Sequence, residues 1–502
     1  MSDTTARAAQ SWRWLLMLVL ITFVLYVWGL NIWYYGDDFQ YLYRDPADRL
    51  LYFFGHRNLF HGFYRPVNSS IIALTQLFAG RETWPIHLVN IVVHALLAWL
   101  VYLFMRRERF TNTQAMVASV FMAFSQENAG AILSNDTFSQ ISGTFFGCLT
   151  LWMLYRGFIG SIDTPRPPSA PFPLRSYLLA LATFVVCLAS KETSVSFLPM
   201  VGVFFLAAAP ATDAWGRRIT SAVLRSLPFL AVTLAYMWVR LLIGLSQPST
   251  SNDGTYGFHF GFNIIRNLGQ FLFAAIIPAS SSTTFVAVQQ RQVVTLSIIA
   301  AASLLFLVAV VVGLMRGERN RTFLPLAAFT LLGLFPAALM NHVGELYLYN
   351  SMPFISVFVG AGLGTLLARG SGVRRYIGLG LLAVLLAVHA QAINQKRTEM
   401  QRNGDRARAL MPKVLAYMPQ VPPNGRLLLL NPPTREPEYS IFLINGYDVF
   451  KWGEHVFPQE GGRPDVTATV IDPEELSRPE YQSNALILTL APGDSVTVYG
   501  RR

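Results

Sequence analysis

Charge is what this sequence has least of. Only 13% of its 502 residues are Asp, Glu, Lys or Arg, against 53% hydrophobic residues, whereas soluble domains average about 25% charged. The shortage excludes an ordinary water-soluble globule and makes lipid the solvent for most of the chain. Cysteine is nearly absent: Cys148 and Cys187 both lie inside apolar runs, which argues against a disulfide framework, a Cys/His metal site and thiol redox chemistry. There is no Walker loop, no Ser/His/Asp order, no heptad register and no repeat at solenoid periods. The first apolar run, residues 12–35, is too long for a signal-peptide core and no small-residue cleavage site follows it, so it is expected to stay as an anchor.

What is present is a series of apolar stretches near 12–35, 86–105, 114–133, 138–155, 176–190, 193–210, 227–245, 293–315, 323–340, 350–368 and 376–393. Each approaches the roughly 20 residues that a spanning helix needs, which predicts an all-α polytopic membrane protein with about eleven transmembrane helices. The net charge of +11 is carried by short arginine clusters between these stretches: Arg7/Arg13, Arg106/Arg107/Arg109, Arg156/Arg166/Arg175, Arg217/Arg218/Arg225, Arg316/Arg319/Arg321 and Arg369/Arg374/Arg375. Nucleic acid is not the implied partner, because no continuous basic face is formed. The positive-inside rule puts all six clusters in the cytoplasm, with a cytoplasmic amino terminus and an extracytoplasmic carboxyl terminus in a bacterial plasma membrane. Parity then makes residues 268–278 an interfacial or re-entrant helix on the outer side. Run 177–209 carries Lys191-Glu192 at its middle; as one helix it would measure about 50 Å against a hydrocarbon core of about 30 Å, so a hairpin turning at Lys191-Glu192 is expected.

From about residue 394 the character changes. A charged amphipathic stretch, 396–418, precedes Pro-rich turns and strand-like runs at 426–430, 440–443, 466–471, 485–490 and 495–499. These predict a transmembrane domain, 1–393, and a small extracytoplasmic α/β or β domain, 394–502.

The expected topology collects ionisable residues on the outer side, where such groups at membrane depth default to functional readings. The first loop carries Asp37-Asp38, Arg44, His56, Arg57, His61, Arg65 and Glu82; the second tip carries Glu127, Asn128, Asn135 and Asp136; the third is Lys191-Glu192; the fourth has Asp253, His259 and Arg266, with Arg240 just below it in a span; the last runs from Asn341-His342 through Glu345 to Tyr347 and Tyr349. Asp37-Asp38 suits either a solvated helix terminus or a pair in which one carboxylate takes a proton from an acceptor hydroxyl while the other orients it or holds a divalent cation. Lys191, Arg65 and Arg240 are the cations able to stabilise a leaving phosphate. Glu127, Glu192 and Glu345 are candidate sugar contacts; Glu192 also suits a self-satisfied turn and Glu345 an ion pair. Tyr347 and Tyr349 suit either substrate contact or anchoring at the membrane interface. His87, Asn90 and His94 share one helix face and are better explained by interhelical hydrogen bonds than by metal ligation. This inventory fits transfer from a lipid-phosphate donor, and equally a transporter gate.

Several segments together resemble a known group. Asp37-Asp38 after the first span resembles the acidic motif of the C-type glycosyltransferase superfamily. Tyr64-Arg65-Pro66-Val67-Asn68, followed by Ile86-His87-Leu88-Val89-Asn90-Ile91-Val92-Val93-His94-Ala95-Leu96, resembles a segment of the transmembrane and tetratricopeptide-repeat O-mannosyltransferases and their bacterial relatives. Ser190-Lys191-Glu192-Thr193 and Glu345-Leu346-Tyr347-Leu348-Tyr349 are similar to two further motifs of that group, in the same order. The resemblance covers roughly residues 12–370. It implies an inverting transfer of one sugar from a polyprenyl-phosphate donor to a glycan, lipid or protein acceptor, with the acidic pair at the centre and Asp37 as base. The chain departs from the group at Leu346, where an arginine is usual, which shifts the expected phosphate contact to Arg240 or Lys191, and it lacks the repeats. The rival readings are a non-catalytic transporter or flippase of lipid-linked sugars, for which no inverted-repeat symmetry is visible, and a polymerase or ligase moving a whole glycan.

Overall fold

A computed structural model of the protein describes residues 3–56, 63–159, 172–210, 212–244, 257–317, 322–340, 343–369, 372–432, 444, 446–491 and 493–501. Arg57, His61, Arg166, Asp253, Arg319, Arg321, Asn341, His342 and the run 440–443 lie outside the described residues. Among the described residues five helices are long and apolar enough to cross a membrane: Gln10–Gly29, Trp84–Arg107, Trp215–Leu242, Val293–Arg316 and Gly378–Leu415. Shorter apolar helices at Leu174–Ser190, Glu192–Ala208, Phe323–Ala338 and Met352–Ala368 accompany them. Their outward faces are apolar, with Val293, Val294, Ile298 and Leu304 all more than 60% exposed, as lipid contact requires and water would penalise. The chain is a multi-pass membrane protein.

Helix α1 (Asp3–Tyr26) packs on α2 (Trp84–Arg107), and α2 on α3 (Asn112–Phe124). Arginines 106 and 107 close the last turn of α2, complementing the helix dipole there. Thr111 and Gln114 form a reciprocal capping box that starts α3. Helix α5 (Met352–Arg369) wedges between α3 and α4 (Val293–Arg316). A Cβ on Gly362 would come within 2.5 Å of the Val310 carbonyl, so the close crossing depends on glycine.

Four details differ from the sequence-based expectation. The expected span 114–133 stops at Phe124: Ser125 leaves the helical region, and a 3-10 turn, Gln126–Asn128, carries Glu127. The Gln126 amide donates instead to His389 Nδ1, at 3.2 Å, a long-range replacement for its helical partner. The expected loop 36–85 contains a 14-residue helix, Pro66–Ala79, entered through Pro66 at its first turn. Segment 257–292 holds two helices, Phe262–Ile276 and Ser281–Gln289, the first only about 22 Å long and so short of a bilayer. The last apolar helix and the charged stretch after it are one element, α6 (Val373–Leu415), about 65 Å long at 1.5 Å per residue.

That continuity joins the two parts of the chain. Strands β1 (Arg426–Leu430), β2 (Thr467–Ile471), β3 (Ala485–Ala491) and β4 (Ser495–Arg501) form one sheet in the order β2-β1-β3-β4, with β1 parallel to β2 and β3, and β3 antiparallel to β4. The central β1 is covered on both faces, which suits its unbroken leucine run. Leu428 and Leu430 pack with Ile471 and Ile487 on one side. Leu427 and Leu429 pack on the other with Ala407, Leu410 and Val414 of α6 and with Trp33, Tyr34 and Phe39 of the segment that follows α1. The C-terminal domain therefore shares its core with the segment bearing Asp37 and Asp38. Contact there is tight: a Cβ on Gly453 would lie 2.7 Å from both the Gly36 carbonyl oxygen and Phe39 Cβ. Gly453→Ala is expected to displace the Asp37 turn and to lower the thermal midpoint by several degrees in a detergent melt; an unchanged midpoint would show that the two parts are not locked at this point.

Candidate active site

The polar face of α2 pins the loops that build the site. His87 Nε2 lies 3.2 Å from the Ile32 carbonyl, just before the acidic pair. Asn90 Nδ2 donates to the carbonyls of Ile132 (3.1 Å) and Ser134 (3.3 Å). His94 Nδ1 pairs with the Tyr349 hydroxyl at 2.7 Å. One helix face thus fixes three separate segments relative to each other.

Residues Gly36–Tyr41 form a 3-10 helix opened by Gly36 at φ +55°. Asp38 is buried, and both its oxygens are occupied: Oδ1 accepts from Ser134 Oγ (3.2 Å) and the Asp136 amide (3.1 Å), Oδ2 from Asn135 Nδ2 (3.0 Å) and the Tyr35 amide (3.4 Å). Burial and the neighbouring Asp136 push its carboxyl up, opposed by these donors. A carboxylate facing four donors does not fit as a metal ligand, and among the described residues no three His, Cys, Asp or Glu side chains are grouped to hold a metal ion. Asp37 is the reverse case. It is exposed and makes no hydrogen bond or ion pair among the described residues, yet protein crowds its other sides. That desolvation, with the charges of Asp136 and Glu454, pushes its carboxyl up to about 7 against the pull of Arg65.

The cations divide in the same way. Arg65 is buried and bound bidentately to Glu192, Nε to Oε2 at 2.8 Å and a terminal nitrogen to Oε1 at 2.5 Å. Burial raises the Glu192 carboxyl, but Arg65 and Lys191 outweigh it and hold it at about 2. This pair neutralises itself. Lys191 sits where Leu174–Ser190 ends, in extended backbone at φ −155°, with Nζ 6.0 Å from the Tyr347 ring centre. It is buried with no ion-pair partner among the described residues, and burial with the nearby Arg65 lowers its ammonium to about 8. Arg240 is buried beside Tyr236, 5.9 Å from that ring, and has no carboxylate partner among the described residues. Asp136 links the group electrostatically to Asp37, Asp38, Arg65 and Lys191.

Glu127 and Glu345 stand apart in a buried network. Lys396 of α6 reaches Glu345 at 2.5 Å, the Gln126 carbonyl at 2.9 Å and the Gln126 side chain, while Gln126 Nε2 and Ser125 Oγ donate to the Glu127 carboxylate. Burial and Glu345 push the Glu127 carboxyl up to about 7. Their carboxylates therefore meet protein donors, while Tyr347, on the same turn as Glu345, faces Lys191. Nothing in the sequence singles out Lys396, which reads as part of a solvated amphipathic face, whereas Asp136 is already among the ionisable residues of the second expected tip.

No protein-family model matches the chain, and no curated protein matches it. Solved structures are similar in overall course. ArnT from Cupriavidus metallidurans, with undecaprenyl phosphate bound, aligns over 95% of this chain and 93% of its own at 12% identity and a TM-score of 0.48. The arabinofuranosyltransferase AftD from Mycobacteria aligns over 88% of this chain and 32% of its own, at 15% and 0.49. The Archaeoglobus fulgidus oligosaccharyltransferase, in complex with Zn and sulfate, aligns over 80% and 55%, at 13% and 0.49. At these identities and scores no activity or residue role passes from them to this chain.

Two substitutions test the site's construction. Lys396→Met leaves the buried Glu345 without its cation and is expected to cost about 3–5 kcal/mol, read as a lower unfolding midpoint. Asp38→Asn places an amide against Asn135 and the Asp136 amide and is expected to cost about 1–3 kcal/mol, whereas Asp37→Asn leaves the melting curve unchanged.

Proposed function

We propose that the chain is an integral membrane glycosyltransferase that moves a single sugar from a polyprenyl-phosphate donor to an acceptor hydroxyl on the extracytoplasmic side. The observation that carries this reading is the pair of groups that feel the charge of Asp136: a carboxylate with no hydrogen bond or ion pair among the described residues and its pKa near neutrality, and a buried ammonium that lacks an ion-pair partner among them. A general base works best when its pKa lies near the operating pH, and unpaired cations in a site of low dielectric are suited to an incoming phosphate.

In this mechanism Asp37 takes the proton from the acceptor hydroxyl as that oxygen attacks the anomeric carbon. The bond from anomeric carbon to phosphate oxygen breaks, its electron pair leaves with the polyprenyl phosphate, and a single displacement inverts the anomeric configuration. Lys191 and Arg240 receive the leaving phosphate. Asp38 positions the turn and Arg65 holds Glu192, so neither is needed as a free charge. Tyr347 orders the Lys191 side chain. A hexosyl or mannosyl donor follows from the motif resemblance.

Purified protein in lipid nanodiscs, given labelled polyprenyl-phosphate sugars, is expected to release or transfer sugar. Asp37→Asn should lose about 10²–10⁴-fold in rate with donor binding retained. Wild type that binds the donor, leaves it intact with every acceptor tried and moves it across vesicle bilayers would replace this reading with transport.

A further inference from the structure

A cavity of about 460 Å³ lies between the first external segment and the C-terminal domain, with Gln40, Arg44, Asp45 and Arg49 on one wall and Gln459 and Pro464 on the other. Its size is that of a site for one small ligand. Gln40 is only 5% exposed, and its amide oxygen has no hydrogen-bond partner, an orphan that a ligand donor would satisfy. Arg44 is exposed with no ion-pair partner among the described residues. The Arg49 guanidinium is steadied 4.6 Å from the Tyr52 ring centre. Two arginines against Asp45 leave the wall net positive.

The Asp37 turn and the C-terminal domain are in contact beside the cavity. Arg81 pairs with Glu460 at 2.5 Å and Arg408 with Glu82 at 3.2 Å, and Phe39 meets Phe450, which meets Phe457, at ring separations of 5.6 and 4.8 Å. The cavity also adjoins the acidic turn. Gln40 belongs to the same 3-10 helix as Asp37, and residues three apart share one side of such a helix.

We infer that this cavity is the acceptor subsite, and that it takes a hydroxylated acceptor bearing an anionic group, a phosphate or a carboxylate. Arg44 and Arg49 grip the anion, Gln40 accepts a hydrogen bond from an acceptor hydroxyl or amide, and a neighbouring hydroxyl is presented to Asp37. The inference rests on the transferase reading and adds to it: it gives the C-terminal domain a part in choosing what is glycosylated.

The test is binding to full-length protein in nanodiscs without donor, by calorimetry, using mannose 6-phosphate, galacturonate, mannose and inorganic phosphate as probes. One or both anionic sugars should bind at least about tenfold more tightly than mannose, and Arg44→Gln and Arg49→Gln should each weaken that binding by about tenfold, with partial recovery in R44K and R49K. The stronger of the two anionic sugars distinguishes phosphate from carboxylate. Equal binding of mannose, binding indifferent to the arginine substitutions, or inorganic phosphate binding as tightly as the sugars would overturn the inference. Donor cleavage by wild type is measured separately. Cleavage without anionic-sugar binding refutes the acceptor subsite and leaves the transferase; arginine-dependent binding without cleavage refutes the transferase and leaves a site for anionic sugars.

Discussion

The geometry of the candidate site depends on the buried Asp38 carboxylate. Two backbone amides and two side chains from two different segments converge on its oxygens, and through them the turn after the first span is tied to the tip at Ser134–Asp136. Asn90 and His87 hold the same two segments from below. With both oxygens of Asp38 engaged, the adjacent Asp37 is the acid of the pair left exposed. The two neighbouring aspartates differ because the fold satisfies one of them and not the other.

The same distinction sorts the cations. Charge buried at membrane depth is tolerated when it is paired, and Arg65 with Glu192 meets that requirement fully, as does Lys396 with Glu345. Lys191 and Arg240 are buried without a carboxylate partner among the described residues. These two desolvated cations are what the proposed binding of a donor phosphate rests on.

Much of the fold was legible because its signals are local. Apolar length marked the main helices, Lys191-Glu192 marked the interruption after Ser190, and alternation or continuous leucine marked β1 to β4. The break at Ser125 was hidden because it is driven by His389, far away in sequence, and the helix Pro66–Ala79 because it is shorter than a span. Continuity of α6 was hidden because a change from apolar to charged composition resembles a domain boundary, whereas the helix simply continues into a second core. The site's residue types were legible and its pairing was not: Arg65 and Glu192 are separated by 127 positions, and nothing in either segment announces that they neutralise each other.

The central claim, that Asp37 is the base and is tuned by its acidic neighbour, is tested most directly by the pH dependence of single-turnover sugar release in wild type and Asp136→Asn. A base acts only when ionised, so the wild-type rate should rise with pH through an apparent pKa of about 7. Removing the negative charge of Asp136 makes Asp37 easier to ionise and should move that rise to lower pH. A rate that rises at the same pH in both proteins, or shows no rise at all, would contradict the assignment.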